Sequence, residues 1–287
     1  MNAELQIRAM KPGDLLFADS LRAQTGWNQT LSDWQRFLEM QPDGCFLAEW
    51  NGAPAGTAVT TIYGPELAWI GMVLVHPQFR RRGIGRNLLL WCIRHLQGCG
   101  ARCIKLDATP EGRLVYQNLG FKDEWTLRRW EADVSNLPRE HDSSQIRHLA
   151  DADLPGIEAL DVRAFGVSRR DLLRSLARHS SCALVYEPES GAPAGFGMLR
   201  HGSRASCLGP ISARSSQAGI ALIEALLSHI AVGRVFWDIP DSNALAVAWG
   251  QRNGFSVQRI LTRMWLGENC APSDAHFQFA VAGPEVG

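Results

Sequence analysis

The chain has 287 residues, a length typical of about two domains. Hydrophobic residues make up 46% of it and charged residues 20%, a composition that predicts a packed core and excludes a disordered chain. Lys and Arg together number 29, as do Asp and Glu, and this zero net charge disfavours nucleic-acid binding, which normally goes with a basic excess.

Hydrophobic periodicity predicts a regular series of elements in the first half. The pair Asn51-Gly52 is typical of a hairpin turn, and Thr30 or Ser32 is placed to cap the second helix. In chain order we predict a strand over 4–10, helices over 12–24 and 30–40, strands over 45–50, 55–63 and 68–76, a helix over 83–97, a strand over 103–108, a helix over 110–118 and strands over 121–133.

The second half predicts the same series after a polar linker, residues 135–144. Its closing segment, FQFAVAGPEVG, predicts one additional short strand. The elements are a strand over 145–149, helices over 153–164 and 168–178, strands over 182–187, 193–200 and 205–212, a helix over 216–230, a strand over 234–239, a helix over 243–253 and strands over 255–267.

The two halves also match residue by residue. The spacing between matching residues is 139 positions as far as Gly56 and 134 positions from Gly85 onward. A spacing that changes once predicts two copies of one domain, over 1–134 and 145–287, with a single deletion in the second. The matches are Ile7-Arg8 with Ile146-Arg147, Ala53-Pro54-Ala55-Gly56 with Ala192-Pro193-Ala194-Gly195, Gly85 with Gly219, Gly120-Phe121 with Gly254-Phe255, and Leu127-x-Arg129 with Leu261-x-Arg263.

Cysteine and histidine usage suggests the compartment. The seven cysteines are scattered without a CxxC pair, and the eight histidines lack metal-ligand spacing, so we expect a reducing cytoplasm and no metal site. The first 14 residues lack an apolar core, and no run of 18 apolar residues occurs. We therefore expect neither a cleaved signal nor membrane association.

One turn in the first copy has the chemistry of an anion site. An apolar strand, residues 70–75, is followed by the arginine- and glycine-rich residues 80–86, here named the anion loop, and then by a helix. Glycines let the backbone approach a ligand closely, and the first helical turn presents unpaired N–H groups and a positive dipole end. The alternatives are a plain turn and a solvated arginine face. In the second copy, GPISARSSQAG replaces this turn and only Gly219 and Arg214 correspond.

These motifs resemble the GNAT superfamily of acyl-CoA N-acyltransferases, in a tandem arrangement. The sequence V-H-P-x-x-R-R-x-G-x-G is similar to the superfamily's central segment, and Tyr116 stands four residues before Gly120 as the family's tyrosine does. The resemblance implies an α/β fold of two GNAT-like domains, each a mixed, mostly antiparallel sheet flanked by helices. The specific motifs lie within residues 70–121.

The resemblance also implies an acetyl-CoA site in the first copy. The pantetheine arm would pair with the edge of the fourth strand where it splays from the fifth, and the pyrophosphate would bind the anion loop. The family often has an asparagine where this chain has Thr109, whereas Asn243 stands at the matching position of the second copy. The implied cofactor-binding residues are Met72, Val73, Leu74, Val75, Arg80, Arg81, Arg82, Gly83, Ile84, Gly85, Arg86 and Thr109.

The resemblance implies Tyr116 as the acid that protonates the leaving thiolate, the alternative being a tyrosine that only packs the helix on the sheet. An amine with a pKa near 10.4 costs about 4.6 kcal/mol to present deprotonated at neutral pH, so a base is useful. Glu66 is the family-like candidate, although it also fits a solvated turn. Asp107 is a second candidate, although it also fits a cap of the following helix.

We therefore predict an N-acetyltransferase that moves an acetyl group from acetyl-CoA to a primary amine by direct attack. The acceptor would be a small molecule or a peptide amine, with no nucleic acid, membrane or metal involved, and the protein would be a monomer or homodimer. The alternative is a non-catalytic acyl-CoA sensor or partner-binding scaffold. The second copy is expected to support the first or to shape the acceptor site.

Overall fold

A computed structural model describes residues 4–137, 144–189 and 191–287, so most of the predicted linker lies outside the described residues. Within them, thirteen strands and eight helices follow the predicted order, and the first half (4–137) and second half (144–287) repeat one series. The first half forms β1 (Leu5–Ala9), α1 (Leu15–Gln24), α2 (Leu31–Met40), β2 (Cys45–Trp50), β3 (Ala53–Ile62), β4 (Ala68–Val75), α3 (Ile84–Gly98), β5 (Cys103–Ala108), α4 (Pro110–Gln117) and β6 (Lys122–Asp133). The second forms β7 (Ile146–His148), α5 (Leu154–Phe165), α6 (Arg170–His179), β8 (Cys182–Tyr186), β9 (Gly195–Arg200), β10 (Ser206–Ala213), α7 (Ser216–Ser228), β11 (Arg234–Pro240), α8 (Ala244–Arg252), β12 (Ser256–Gly267) and β13 (Gln278–Ala280).

Local signals set the ends of these elements. Thr30 has an extended backbone, and the Asp33 carboxylate accepts a hydrogen bond from its N–H at 2.7 Å, so α2 begins at the predicted cap. Asn51 and Gly52 have φ of 50° and 78°, the left-handed pair that a tight two-residue hairpin turn requires.

All strands join one mixed sheet in the order β1-β2-β3-β4-β5-β12-β6-β11-β10-β9-β8-β7, and β13 pairs with β10. The pairs β4–β5 and β10–β11 are parallel, and the other neighbours are antiparallel. The prediction of a mixed, mostly antiparallel sheet flanked by helices is confirmed.

The halves exchange their last long strands. β12 of the second half lies beside β5 of the first, and β6 of the first half lies beside β11 of the second. Two reciprocal ion pairs hold the exchange: Arg263 binds Asp107 through two contacts of 2.9 Å, and Arg129 binds Asp238 through contacts of 2.8 and 2.6 Å. All four side chains are buried.

The internal repeat extends to individual contacts. In the first half, Arg8 bridges Asp14, which precedes α1, and Glu49 on β2. In the second half, Arg147 bridges Asp153, which precedes α5, and Glu187, which directly follows β8. Because these contacts join equivalent elements, each half has the same attachment of its first strand.

Three large hydrophobic cores and two smaller clusters stabilise the described residues. One lies under α3 in the first half, and one lies under α7 and α8 in the second. The third is shared, because α1, α2, α5 and α6 pack together with strands of both halves. Along the described ranges, no helix has the length and apolar character needed to cross a bilayer.

Candidate active site

A gap opens in the sheet of the first half between β4 and β5. The two strands pair only at Ala68–Ile104 and Trp69–Lys105, and then they separate. The gap forms a cavity of about 90 Å³ between the separated strands, α4, the α1–α2 connection and the second half of the chain. Its lining consists of Trp27, Gln29, Ile70, Gly71, Met72, Val73, Leu106, Asp107, Thr109, Tyr116, Arg259, Leu261, Pro284 and Glu285.

A bulge shapes the β4 edge of this gap. Met72 and Val73 together stand opposite Ala58, and Met72 has the left-handed φ of 53°, which is uncommon outside glycine. The Thr57 hydroxyl donates a 3.0 Å hydrogen bond to the Met72 carbonyl and so supports this conformation. The predicted edge residues Met72 and Val73 line the cavity, and β4 continues through Leu74 and Val75 toward α3.

The anion loop leads from β4 to the N-terminus of α3. Gly83 precedes the first helical residue, Ile84, with φ of 76°, and Arg81 also has a positive φ of 61°. A Cβ atom on Gly85 would contact only a methyl group of Val75, at 3.4 Å. The open face at Gly85, with the free N–H groups of the first turn, is a suitable place for a bound anion.

The arginines of the loop differ in their contacts. Arg80 donates through Nε to the Val75 carbonyl at 3.2 Å, and Arg82 stacks on the rings of Trp50 and Phe79. All of them, including Arg81 and Arg86, have exposed side chains. The predicted loop residues therefore lie together at one helix end, but their guanidinium groups are not equivalent.

Tyr116 faces the same gap from α4. Its ring packs 6.1 Å from that of Phe121, and burial raises the pKa of its phenol to about 12, with a further contribution from Cys92. The phenol therefore carries its proton at neutral pH, although burial makes it a weaker acid than a solvated tyrosine. Thr109 also lines the cavity and caps α4 by accepting a 3.2 Å hydrogen bond from the Gly112 N–H.

The two sequence-derived candidates for a base occupy different places. Glu66 is exposed in the turn before β4, at the end where β4 and β5 are still paired, and it does not line the cavity. Asp107 does line it, but Arg263 holds both of its carboxylate oxygens, and it does not cap α4. The structure therefore brings Tyr116 and the β4 edge together without Glu66.

Pro284 and Glu285, in the segment 281–287 of the second half, form a wall of the cavity that the sequence analysis did not predict. The Trp69 indole donates to the Pro284 carbonyl at 3.0 Å, and the Tyr63 hydroxyl donates to the Val286 carbonyl at 2.8 Å. A Cβ on Gly71 would lie 2.4 Å from the Glu285 carbonyl oxygen, so only glycine permits this approach. The sequence feature that could have indicated this wall is Glu285, a carboxylate in an otherwise apolar closing segment.

In the second half, the chain itself fills the corresponding gap. Residues 214–215 alone connect β10 to α7, where residues 76–83 connect β4 to α3, and β13 pairs with β10. The Phe279 ring would lie 2.4 Å from a Cβ on Gly219, the counterpart of Gly85, and Asn243 donates to the Gln278 carbonyl at 3.0 Å. The second copy thus lacks the anion loop, and β13 and the Phe279 ring occupy the space beside Gly219, which leaves a pocket between the starts of α7 and α8.

Family models agree with this architecture. One described as the acetyltransferase (GNAT) family matches residues 15–121, and one described as an acetyltransferase (GNAT) domain matches residues 157–280. The chain therefore belongs to the GNAT superfamily of acyltransferases and carries two such domains in tandem, as the resemblance implied.

Individual relatives are more distant. The chain is 28% identical over 161 residues to the uncharacterized N-acetyltransferase YitH of Bacillus subtilis (strain 168), covering 56% of each protein. It is 31% identical over 103 residues to holothin acyltransferase of Pseudoalteromonas sp. (strain SANK 73390), covering 36% of this chain and 34% of that one. The chain thus spans about half the length, or less, of the curated relatives it matches.

Solved structures share the fold. A proposed acetyltransferase from Pyrococcus horikoshii superposes with a TM-score of 0.83 at 23% identity, covering 99% of this chain and 96% of that one. The tandem GNAT protein from the clavulanic acid biosynthesis pathway superposes with a TM-score of 0.68 at 16% identity, covering 94% and 100%. At these identities the likeness establishes the fold alone.

Proposed function

We propose that the first half of the chain transfers an acetyl group from acetyl-CoA to a primary amine by direct attack. The observation that carries the proposal is the open β4–β5 gap, which Tyr116 lines and whose β4 edge leads into the anion loop. The second half, whose gap is filled by β13, supports the first and completes its cavity. This division assigns the transferase domain to residues 1–134 and the degenerate domain to 145–287.

In this proposal, backbone and side-chain groups of the first half bind acetyl-CoA, the donor. The edge of β4 from Met72 to Val75 offers backbone amides to the pantetheine arm, because β5 has already diverged there. The N–H groups of residues 81–86 bind the pyrophosphate, and the exposed guanidinium groups of Arg81 and Arg86 add charge. Thr109 lies on the opposite side of the gap, beside Tyr116.

The thioester is already activated, so the protein supplies proximity and proton transfer. The amine nitrogen attacks the thioester carbonyl, a C–N bond forms, and the C–S bond breaks. Tyr116 donates its proton to the departing sulfur. The amine's proton passes to a base, for which Glu66 remains a prediction from the sequence.

Gly85→Glu tests the donor site. The added side chain and charge would occupy the open face of the loop, so we expect loss of CoA binding in calorimetry. Gly98→Glu is the matched control, since Gly98 ends the same helix and a Cβ there meets nothing within 4 Å. Tight CoA binding by Gly85→Glu would remove the assignment of this loop.

Thiol release separates the enzyme from a non-catalytic acyl-CoA sensor. We expect CoA to be released when the protein, acetyl-CoA and a primary amine are mixed. CoA binding without release for any amine would favour the sensor. The acceptor is proposed to be a small molecule or peptide amine and the location cytoplasmic; a monomer or homodimer remains the expected state.

A further inference from the structure

Two side chains of opposite charge line the cavity without forming a direct ion pair. Arg259 lies on β12 and Glu285 in the 281–287 segment, so both come from the second half. Within residues 4–137, 144–189 and 191–287, neither takes part in a salt bridge, and the Arg259 Nε is buried without a hydrogen-bond partner. The Glu285 carboxylate is 6% exposed and accepts a 2.7 Å hydrogen bond from the Gln29 side chain.

This lack of pairing contrasts with the neighbouring charges. Asp107 is paired with Arg263, and Arg129 is paired with Asp238, in bidentate contacts. Burying an unpaired charge costs several kcal/mol. Burial lowers the pKa of Arg259 to about 10, which leaves it cationic at neutral pH, and burial raises the pKa of Glu285. A ligand with complementary groups would remove the cost of leaving both without partners.

We propose that the acceptor carries an anionic group as well as its amine, and that Arg259 binds the anionic group while Glu285 binds the amine and takes its proton. The inference rests on the proposed N-acetyltransferase function. The proton leaves the amine for the Glu285 carboxylate as the C–N bond forms, and Tyr116 protonates the sulfur as the C–S bond breaks. The second half thus supplies the base and the specificity of a reaction whose donor site lies in the first.

Arg259 lies on a different side of the gap from the anion loop, where the donor phosphates are proposed to bind. The anion loop follows β4 at the start of α3, whereas Arg259 stands on β12 three residues before Thr262, which pairs with Ala108 at the end of β5. Arg259 therefore lies on the α4 side of the gap, near Thr109 and Tyr116. A carboxylate and a phosphonate both match a guanidinium group, so the anion is defined by its charge.

Matched acceptors test the inference with the full chain. We expect β-alanine or 2-aminoethylphosphonate to be acetylated with kcat/KM at least tenfold above that of propylamine or ethylamine. The two anionic probes distinguish carboxylate from phosphonate acceptors. Equal use of propylamine and β-alanine would overturn the inference and leave the proposed transferase intact. If no amine is acetylated, calorimetry measures the binding of β-alanine to the CoA complex. Absence of binding would also overturn the inference.

Substitutions of Arg259 and Glu285 test anion binding and proton transfer separately. Arg259→Gln is expected to lower kcat/KM at least tenfold more for the anionic acceptors than for propylamine. Glu285→Gln is expected to lower kcat about 10²-fold for every amine while acetyl-CoA binding is retained. Full activity of Glu285→Gln, together with a loss in Glu66→Gln, would return the base to Glu66. The matched controls are Arg252→Gln and Glu268→Gln, whose side chains are exposed.

The pH dependence of the rate tests whether Glu285 is the base. Burial raises the pKa of Glu285, and the charged groups facing it are Arg200 on β9, Arg129 on β6, Asp33 on α2 and Arg259 on β12. Since the base acts when ionised, the rate should fall as pH decreases through a value above the ordinary carboxyl pKa of about 4.3. This acid limb should disappear in Glu285→Gln, and its persistence there would exclude Glu285 as the base.

Discussion

At the scale of single residues, the sequence predicts positions that depend on local spacing, but it does not predict contacts between distant parts of the chain. Tyr116 stands four residues before Gly120, so a short motif was enough to predict its place, and the structure places it at the gap. Arg259 and Glu285 reach the same cavity from more than 140 positions further along the chain. No local pattern links them to Tyr116, and only the fold brings these three side chains together.

Tyr116→Phe is expected to lower kcat by about 10²- to 10⁴-fold, the usual contribution of a general acid. Phenylalanine keeps the ring packing against Phe121, so CoA affinity and thermal stability should change little. Because the pKa of Tyr116 is about 12, its deprotonation should not lower the wild-type rate between pH 6 and pH 9. Steady-state kinetics with Tyr186→Phe as the control would show this, and undiminished turnover would remove the acid role.

At the scale of elements, hydrophobic periodicity predicted the helices and strands, but it did not predict which strand fills which position. Leu127-x-Arg129 on β6 and Leu261-x-Arg263 on β12 are the same pattern, so either strand suits the place beside β5. The choice depends on the path of the chain between the halves. The exchange was therefore absent from the sequence prediction, although both strands were in it.

The exchanged strand β12 should depend on its buried ion pair. Asp107→Asn leaves the Arg263 guanidinium, which is fully buried, without a counter-ion, and we expect a loss of about 3–5 kcal/mol in the free energy of unfolding. Urea denaturation measures this loss. The double variant Asp107→Leu with Arg263→Met should recover part of it, because no buried charge remains. A loss below about 1 kcal/mol for Asp107→Asn would show that the pair is not needed.

At the scale of the molecule, the two GNAT domains share structure rather than sitting side by side. Each half of the single sheet contains a strand from the other half of the chain, and helices of both halves build the third core. The sequence repeat predicted two copies, and the structure adds that neither copy contains all of its own sheet. We therefore expect the halves to unfold together.

Core variants in each half test this cooperativity. Leu88→Ala in the first half and Leu226→Ala in the second each remove a fully buried side chain, which costs about 2–5 kcal/mol. Because the halves share strands, both variants should shift one and the same calorimetric transition. Two separate transitions, of which each variant moves only one, would show independent folding.

Residues 281–287 are synthesised after the other residues that line the site. During synthesis the ribosome completes the anion loop and Tyr116 long before these residues appear, yet Trp69 and Tyr63 bind the Pro284 and Val286 carbonyls, and Glu285 faces the cavity. A polypeptide that stops before residue 281 would lack this wall, together with Ala282 and Val286 of the core shared by both halves. On the proposed function, acetyl transfer therefore requires translation through this segment, and we expect a chain terminated before residue 281 to show no turnover.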